Sequence, residues 1–315
     1  MRSFKGSDII STEILSREET EYILTEARWH LGVIERRTSL KLLAGKVLAT
    51  LFFQTSTRTR LSFESAMQRL GGSVLGFASA ESSRATGPRA ETLEDTIRTV
   101  DAYCDAIVLR HPEIGAAKRA ADVASVPILN GGDGTNQHPS QGLLDTFTIW
   151  YEKGTLDGLT IGMVGDLGST RGMHSLVYSL SNFKSRLFFV APSELRFSDT
   201  VKSHLRNRGV EYEEFDRAED AIKEMDVMYV TRMNKEGAGD KYEALLPKCP
   251  RIDLKLLRKG KRDLIVMHDL PRTDELGLQI TAEVDESPYA RYFQEVKYGV
   301  AVRMALLALV MGAVA

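Results

Sequence analysis

The chain has 315 residues, of which 43% are hydrophobic, and a formal net charge of −2 at pH 7. This length allows a large core divided over about two domains, whereas the near-neutral charge gives no overall field that would attract nucleic acid or an anionic membrane. The sequence has 2 cysteines, which excludes a disulfide framework and a cysteine metal cluster. Because it has neither a signal-peptide core nor an apolar run of about 18 residues, we expect a cytoplasmic protein.

Helical and strand-like patterns alternate along the chain. The first series has predicted helices over 16–29, 60–70, 92–103, 115–124 and 141–151, and predicted strands over 47–53, 106–109 and 126–130. The second series has predicted strands over 160–164, 187–190, 227–231 and 264–267, and predicted helices over 172–181, 200–208 and 218–224. Such alternation predicts parallel sheets covered by helices, in two α/β domains with the break in or near helix 141–151.

The segment QTSTRTR, residues 54–60, follows the first predicted strand and leads into a helix. A helix start presents free backbone N–H groups and the positive end of the helix dipole. Ser56, Thr57 and Thr59 add hydroxyl donors, and Arg58 or Arg110 can add a bidentate guanidinium. One hydroxyl here would be explained by N-capping alone, but this combination exceeds what a cap needs. The segment therefore predicts a phosphate site.

His138 follows a glycine-rich turn after strand 126–130 and lies near Gln137 and Gln141 in the sequence. A single histidine in this position can be structural or catalytic, and the residues alone leave both roles open. A second glycine-rich loop, GDLGSTRG at 165–172, lacks the G-x-G-x-x-G spacing, and the strand after it does not end in an acidic residue that would bind a ribose. We therefore expect no dinucleotide cofactor.

Five segments together resemble one protein family. They are FFQTSTRTRLSFESAMQRLGGSVLGF, VLRHPEIGAA, NGGDGTNQHPSQGLLD, HDLPRTDE and GVAVRMALLALVMG. In kind and order they are similar to archaeal-type aspartate carbamoyltransferase catalytic chains, within the aspartate/ornithine carbamoyltransferase superfamily, and the similarity runs nearly from end to end. It implies an α/β fold of two domains, each with a parallel sheet flanked by helices. Residues 1–139, completed by the C-terminal helix 293–315, would bind carbamoyl phosphate, and residues 140–292 the amino acid.

The resemblance implies transfer of the carbamoyl group of carbamoyl phosphate to the amine of L-aspartate, giving N-carbamoyl-L-aspartate and phosphate for pyrimidine synthesis. It implies no cofactor, no metal and no covalent intermediate. By resemblance the phosphate is bound by Ser56, Thr57, Arg58, Thr59 and Arg110. The carbonyl oxygen, by resemblance, faces Thr59, Arg110 and His138, which with Arg58 form the implied catalytic set, and the carbamoyl NH2 meets Gln141 and the backbone near Leu270. The implied assembly is a homotrimer with shared active sites, to which some members of the family add a regulatory chain.

The acceptor side departs from the family pattern. Arg171 and Arg232 match the arginines that bind the α-carboxylate and the side-chain carboxylate. Where the family has R-x-Q-x-E-R, this chain has Asn234 for the glutamine and Gly237 for the second arginine. In the family motif H-P-L-P-R, Asp269 replaces the first proline. A carboxylate beside an anion pocket would disfavour an anionic ligand. Because this family loop contacts its substrate mainly through the backbone, we expect Asp269 to point away.

The loop that the family donates to a neighbouring subunit also differs, because SAESSRATGPRAETL at 79–93 contains no lysine. Arg89 is nearest to the lysine position and Arg84 is the other candidate, while Ser82 or Ser83 would replace the family serine. These departures leave three hypotheses. The chain is an aspartate enzyme with an altered acceptor site, a paralogous carbamoyltransferase with another amino-acid acceptor, or a non-catalytic anion-binding paralogue.

Overall fold

The computed structural model describes residues 3–84, 87, 89–233, 239–272 and 279–314. The chain divides into two compact units, Met1–Phe147 with Val296–Ala315 and Thr148–Glu295, so the first unit is discontinuous in sequence. Each unit contains one parallel sheet with flanking helices, which confirms the predicted fold class. No helix in the described ranges has both the length and the apolar character needed to cross a membrane.

The first unit contains a four-stranded parallel sheet in the order β2–β1–β3–β4. Its strands are β1 (Val47–Phe52), β2 (Ser73–Phe77), β3 (Ala106–His111) and β4 (Ile128–Asp133). The helices in this part of the sequence are α1 (Arg17–Glu35), α2 (Thr57–Arg69), α3 (Leu93–Asp101), α4 (Ala116–Val123) and α5 (Pro139–Lys153). The division between the units falls inside α5.

The second unit contains a five-stranded parallel sheet in the order β7–β6–β5–β8–β9. Its strands are β5 (Thr160–Val164), β6 (Arg186–Val190), β7 (Tyr212–Phe215), β8 (Val227–Val230) and β9 (Ile265–His268). Among the described residues, the remaining helices are α6 (Arg171–Leu180), α7 (Asp199–Asn207), α8 (Ala218–Ala221), α9 (Tyr242–Leu245), α10 (Leu254–Leu257) and α11 (Tyr292–Val310). From Val296 onward, α11 belongs to the first unit.

Two strands, β2 and β7, are not predicted by the sequence patterns. Each is at the edge of its sheet, and each consists of residues that are only partly buried or exposed. Sequence windows detect strands through buried apolar runs or strict alternation, and an edge strand such as YEEF, residues 212–215, has neither.

The core of the first unit forms where β1 and β3 pack against α3 and α4. It buries Ala49, Leu51, Ile107, Leu109 and Ile128 of the sheet together with Leu93, Ile97, Ala116 and Ala120 of the helices. Burial on this scale fixes the strand register, because a shift of one residue would turn each apolar side chain to the opposite face.

The register brings the carboxyl ends of neighbouring strands together. In the first unit Phe52 of β1 pairs with Arg110 of β3, and His111 pairs with Asp133 of β4. In the second unit Val230 of β8 pairs with Val164 of β5 and with His268 of β9. The polar segments that follow these strands therefore start at one edge of each sheet, where ligands bind in open parallel sheets.

Candidate active site

The N-terminus of α2 carries the hydroxyl-rich segment predicted as a phosphate site. Ser56 is the N-cap, with extended backbone angles (φ −159°, ψ 114°), but its side chain makes no capping hydrogen bond within the described ranges. The N-caps of α1 and α3 differ: Ser16 and Thr92 accept hydrogen bonds from the backbone N–H groups of Glu19 and Asp95, each at 3.1 Å. Because the Ser56 hydroxyl does not accept a hydrogen bond from the first N–H groups of α2, the hydroxyl and these N–H groups are suited to binding an anion.

The first turn of α2 has no acidic side chain, and Thr57 and Arg58 are exposed on it. Thr59 instead turns inward, and its Oγ1 lies 3.2 Å from His138 Nε2, with both side chains buried. The other ring nitrogen of His138, Nδ1, lies 3.4 Å from Ser140 Oγ. The hydroxyl segment and the histidine, which are far apart in the sequence, are thus in direct contact.

Arg110, a further predicted phosphate ligand, is the last residue but one of β3 and reaches toward this contact. Its Nη1 donates a hydrogen bond of 3.1 Å to the carbonyl oxygen of Gly131 in β4. A Cβ atom at position 131 would lie 3.3 Å from the Leu109 carbonyl oxygen and 3.5 Å from Thr59 Cγ2, so glycine keeps this crowded position open. Gly131 therefore contacts Arg110 through its carbonyl oxygen and lies next to the Thr59 side chain.

A buried carboxylate, Asp133, shapes the turn that leads to His138. Its Oδ1 accepts hydrogen bonds from Asn130 Nδ2 at 2.9 Å and from the Gln137 N–H at 3.2 Å. Its Oδ2 accepts from the Gly115 N–H at 2.9 Å and from Asn136 Nδ2 at 3.1 Å. The four donors compensate the loss of hydration that burial of a carboxylate entails, and they fix the chain from β4 to the start of α5.

Gln141 follows in the first turn of α5. Its backbone N–H donates a hydrogen bond of 2.9 Å to the His138 carbonyl oxygen, and its side chain is half-buried. The structure thus brings together Thr59, Arg110, His138 and Gln141 around the N-terminus of α2, in the first unit alone.

The second unit assembles a separate group of polar residues at the ends of β5, β8 and β9. Arg171 is the first residue of α6, after the N-cap Thr170, and Arg232 follows β8 after Thr231. The Thr231 hydroxyl donates to Asp269 Oδ1 at 3.2 Å and lies 3.5 Å from Thr170 Oγ1. One line of polar side chains therefore joins the segments that carry both predicted carboxylate-binding arginines.

The segment after β9 has an unusual backbone. Leu270 has a positive φ of 48°, which is strained for a leucine, and its N–H donates to His268 Nδ1 at 2.7 Å. The Leu270–Pro271 peptide bond is cis, and Arg272 then forms a two-bond ion pair with Asp285 at 2.6 and 2.8 Å. Asn234 lies outside the described residues. Among those described, no group of three His, Cys, Asp or Glu side chains is arranged to hold a metal ion.

Both halves of the chain match family models. Residues 7–151 match the aspartate/ornithine carbamoyltransferase carbamoyl-P binding domain, and residues 157–310 match the Asp/Orn binding domain of the same family.

The chain belongs to the aspartate/ornithine carbamoyltransferase family. The catalytic subunit of aspartate carbamoyltransferase from Thermococcus gammatolerans is 49% identical over 310 residues, which cover 98% of this chain and 99% of the relative. The corresponding subunit from Methanopyrus kandleri is 46% identical, with 99% of each chain covered. The family resemblance derived from the five sequence segments is thereby confirmed.

Solved structures of related carbamoyltransferases have the same fold. Aspartate transcarbamoylase from Trypanosoma cruzi in complex with carbamoyl phosphate and aspartate superimposes with a TM-score of 0.89 at 38% identity, covering 98% of this chain and 96% of that chain. The catalytic subunit from M. jannaschii superimposes with a TM-score of 0.85 at 43% identity, covering 96% of each chain.

The described part of the loop that lacks the family lysine, residues 79–84, 87 and 89–93, is at the surface of the first unit. Ser82 ends a short 3-10 turn, and its hydroxyl donates to the Ser79 carbonyl oxygen at 2.7 Å. The Ser83 hydroxyl donates to the Ala80 carbonyl oxygen at 2.9 Å. Arg84 and Arg89 are exposed, so their side chains are presented outward from the unit.

Sequence reasoning about this carbamoyltransferase missed the residues that support the site. Gly131 and Asp133 belong to the turn that was recognised only as glycine-rich, and an aspartate between glycines in such a turn is the signal that points to them. The burial of two polar residues of the first unit, Asp145 and Arg303, was also not predicted, because both lie in segments predicted as helices and no local pattern distinguishes them.

Replacing Asp133 tests the support of the His138 turn. Asp133→Asn turns an NH2 group toward two of the four donors, so we expect the first unit to lose about 2–4 kcal/mol of unfolding free energy. The same change at Asp122, which is exposed in an ion pair with Lys118, should cost less than about 0.5 kcal/mol. Denaturant unfolding followed by tryptophan fluorescence measures both, with Trp29 in the first unit and Trp150 in the second. Equal stability of the two variants would contradict the role given to Asp133.

Proposed function

We propose that this chain is the catalytic chain of an aspartate carbamoyltransferase, which transfers the carbamoyl group of carbamoyl phosphate to L-aspartate and releases phosphate in pyrimidine synthesis. The observation that carries the proposal is the buried 3.2 Å contact between Thr59 Oγ1 and His138 Nε2 at the N-terminus of α2, next to Arg110. The relatives are named for this activity, and the T. cruzi structure contains both substrates. The cytoplasmic location of the present chain stays a prediction.

The proposed phosphate ligands are Ser56, Thr57, Arg58, Thr59 and Arg110. The exposed Arg58 and the half-buried Arg110 supply two guanidinium groups, and the uncapped start of α2 supplies backbone N–H groups. These groups bind the phosphate dianion in the substrate and also stabilise it as it leaves, when its negative charge increases.

The carbonyl oxygen of carbamoyl phosphate becomes negative when the aspartate amine attacks the carbonyl carbon. Thr59, Arg110 and His138 are the proposed donors to this oxygen, in an arrangement that is worth roughly 3–4 kcal/mol per donor in other enzymes. His138 donates from Nε2 when Nδ1 accepts the hydrogen bond from Ser140 Oγ, which lies 3.4 Å away. The site thus works by position and charge, and needs no covalent intermediate.

The proposed aspartate ligands are Arg171 and Arg232, with Asn234 as a further predicted ligand. Two guanidinium groups suit a molecule with two carboxylates, and each charged contact contributes roughly 1.5–3 kcal/mol. The backbone near Leu270 stays the predicted second contact of the carbamoyl NH2, beside Gln141. One observation favours the alternative of another amino-acid acceptor. Asp269 accepts a hydrogen bond from Thr231, the residue before Arg232, and a carboxylate near this segment disfavours an anionic ligand.

The donor assignment is tested by removing one guanidinium at a time. Arg58→Ala or Arg110→Ala should weaken carbamoyl-phosphate binding by between about tenfold and a hundredfold, because each loses a charge-assisted contact to phosphate. Titration calorimetry measures the binding, and circular dichroism verifies the fold. Arg98→Ala, which removes an arginine 59% exposed on α3, is the matched control and should bind like the unchanged chain. Tight binding by the Arg58 and Arg110 variants would refute the assignment.

The acceptor is tested by product identity. With equal concentrations of aspartate, ornithine and 2,3-diaminopropionate, we expect N-carbamoyl-L-aspartate as the main product, because two arginines match two carboxylates. Mass spectrometry of the products measures the distribution. If a cationic amino acid is carbamoylated preferentially, the aspartate hypothesis is wrong. The chain is then a paralogous carbamoyltransferase whose specificity Asp269 determines.

The proposed assembly is a homotrimer in which Ser82, Ser83, Arg84 and Arg89 of one subunit reach the site of its neighbour, and a regulatory chain remains a further predicted partner. The outward position of the two arginines supports this proposal. Mixing an inactive Arg89→Ala chain with an inactive His138→Ala chain should restore part of the activity, since some mixed sites contain both unchanged residues. Full activity of a monomer in analytical ultracentrifugation would contradict it.

A further inference from the structure

Two polar side chains lie one turn apart on α5 and contact each other. Gln141 Nε2 donates a hydrogen bond of 2.7 Å to Asp145 Oδ1, and Asp145 is fully buried. An ionised carboxylate only accepts hydrogen bonds, whereas the two ends of an amide differ, one donating and the other accepting. As long as Asp145 is ionised, the NH2 end of Gln141 must therefore face it.

A buried cation in the same unit interacts electrostatically with Asp145. Arg303 of α11 is 3% exposed. Burial lowers the pKa of Arg303 to about 10, while the Asp145 charge acts in the opposite direction, so the guanidinium remains charged at neutral pH. The interaction is reciprocal, so the Asp145 carboxylate and the Arg303 guanidinium attract each other inside the first unit.

The fold holds Arg303 in a fitted position. Its Cζ lies 5.2 Å from the centroid of the Phe63 ring of α2. A Cβ atom at Gly299 would lie 2.5 Å from Arg303 Nη1 and 3.1 Å from a methyl carbon of Leu144, so a larger residue there would force the guanidinium to move. Burial of an arginine and an aspartate is costly, and a hydrophobic pair of similar volume would serve stability alone at least as well. A role beyond stability would account for the two charges.

We propose that Asp145, with Arg303, is a positioning residue for recognition of the carbamoyl group. It holds the amide of Gln141 with Oε1 directed to the substrate, where this oxygen accepts a hydrogen bond from the carbamoyl NH2. The inference rests on the proposed function and deepens it. Since the Gln141 backbone is bonded to His138, the oriented amide lies beside the proposed carbonyl-oxygen donors.

The arrangement discriminates between acyl phosphates by one group. Acetyl phosphate has the same phosphate and carbonyl but a methyl group in place of NH2, so it gains nothing from an acceptor at Gln141. When Asp145 is replaced by asparagine, the residue can donate as well as accept, and the Gln141 amide is free to turn its NH2 group toward the NH2 of the substrate. Selectivity for carbamoyl over acetyl phosphate then falls, while binding of the shared phosphate is unaffected.

The experiment measures dissociation constants of carbamoyl phosphate and acetyl phosphate by titration calorimetry on the full chain. Asp145→Asn should weaken carbamoyl phosphate about tenfold and acetyl phosphate less than about twofold, since one hydrogen bond is lost from the first ligand alone. In a Gln141→Ala background the same change should alter carbamoyl-phosphate binding less than about twofold, because the amide it orients is absent. Equal weakening of both ligands, or additive effects of the two substitutions, would overturn the proposal.

Asp145→Asn leaves Arg303 without its buried countercharge and can prevent folding. The paired variant Asp145→Asn with Arg303→Met removes both charges at similar volume, and it should fold and show the same selective loss. If this variant keeps the selectivity of the unchanged chain, the charges are structural only and the proposal fails. Because donor binding needs no acceptor, failure of the proposed function with aspartate is seen separately, in the turnover assay of the unchanged chain.

Discussion

Parallel pairing of β1, β3 and β4 is the constraint on which the donor site depends. The segments that leave these strands start at one edge of the sheet, so the N-terminus of α2, Arg110 and the turn before His138 meet although they are far apart in the sequence. The second unit repeats the arrangement, since Thr231 joins the segments after β5, β8 and β9. In each unit, rigid strands rather than long loops determine where the polar groups lie.

The sequence predicted the parts of the structure that depend on local patterns. Central strands such as β1 and β3 are buried apolar runs, and the hydroxyl and arginine residues after them could be read as an anion site before the fold was known. The family resemblance added His138, Gln141 and the backbone near Leu270 as further residues of that site. Edge strands were missed because the exposed residues of β2 and β7 carry no periodic signal.

The support of the site could not be predicted in the same way, because it depends on buried polar contacts. Its place between glycines draws attention to Asp133, but its supporting role is seen only when the N–H groups of Gly115 and Gln137 converge on its carboxylate. Asp145 and Arg303 come from helices that the whole second unit separates in the sequence, and helical periodicity does not pair residues across such a distance. Ser56 shows the converse, since its place before a helix suggests a cap and the geometry shows that its hydroxyl does not serve as one.

The discontinuity of the first unit sets an order of events during synthesis. The ribosome makes Asp145 before the second unit and Arg303 after it. Until α11 has been made and has docked, the Arg303 guanidinium is absent from the interior of the first unit, so Asp145 lacks the buried countercharge beside which it is proposed to orient the Gln141 amide. A nascent chain can thus acquire its phosphate ligands early, but it becomes selective for the carbamoyl group only after the amino-acid unit has been translated. Incomplete chains would therefore bind carbamoyl phosphate more weakly than the complete enzyme does.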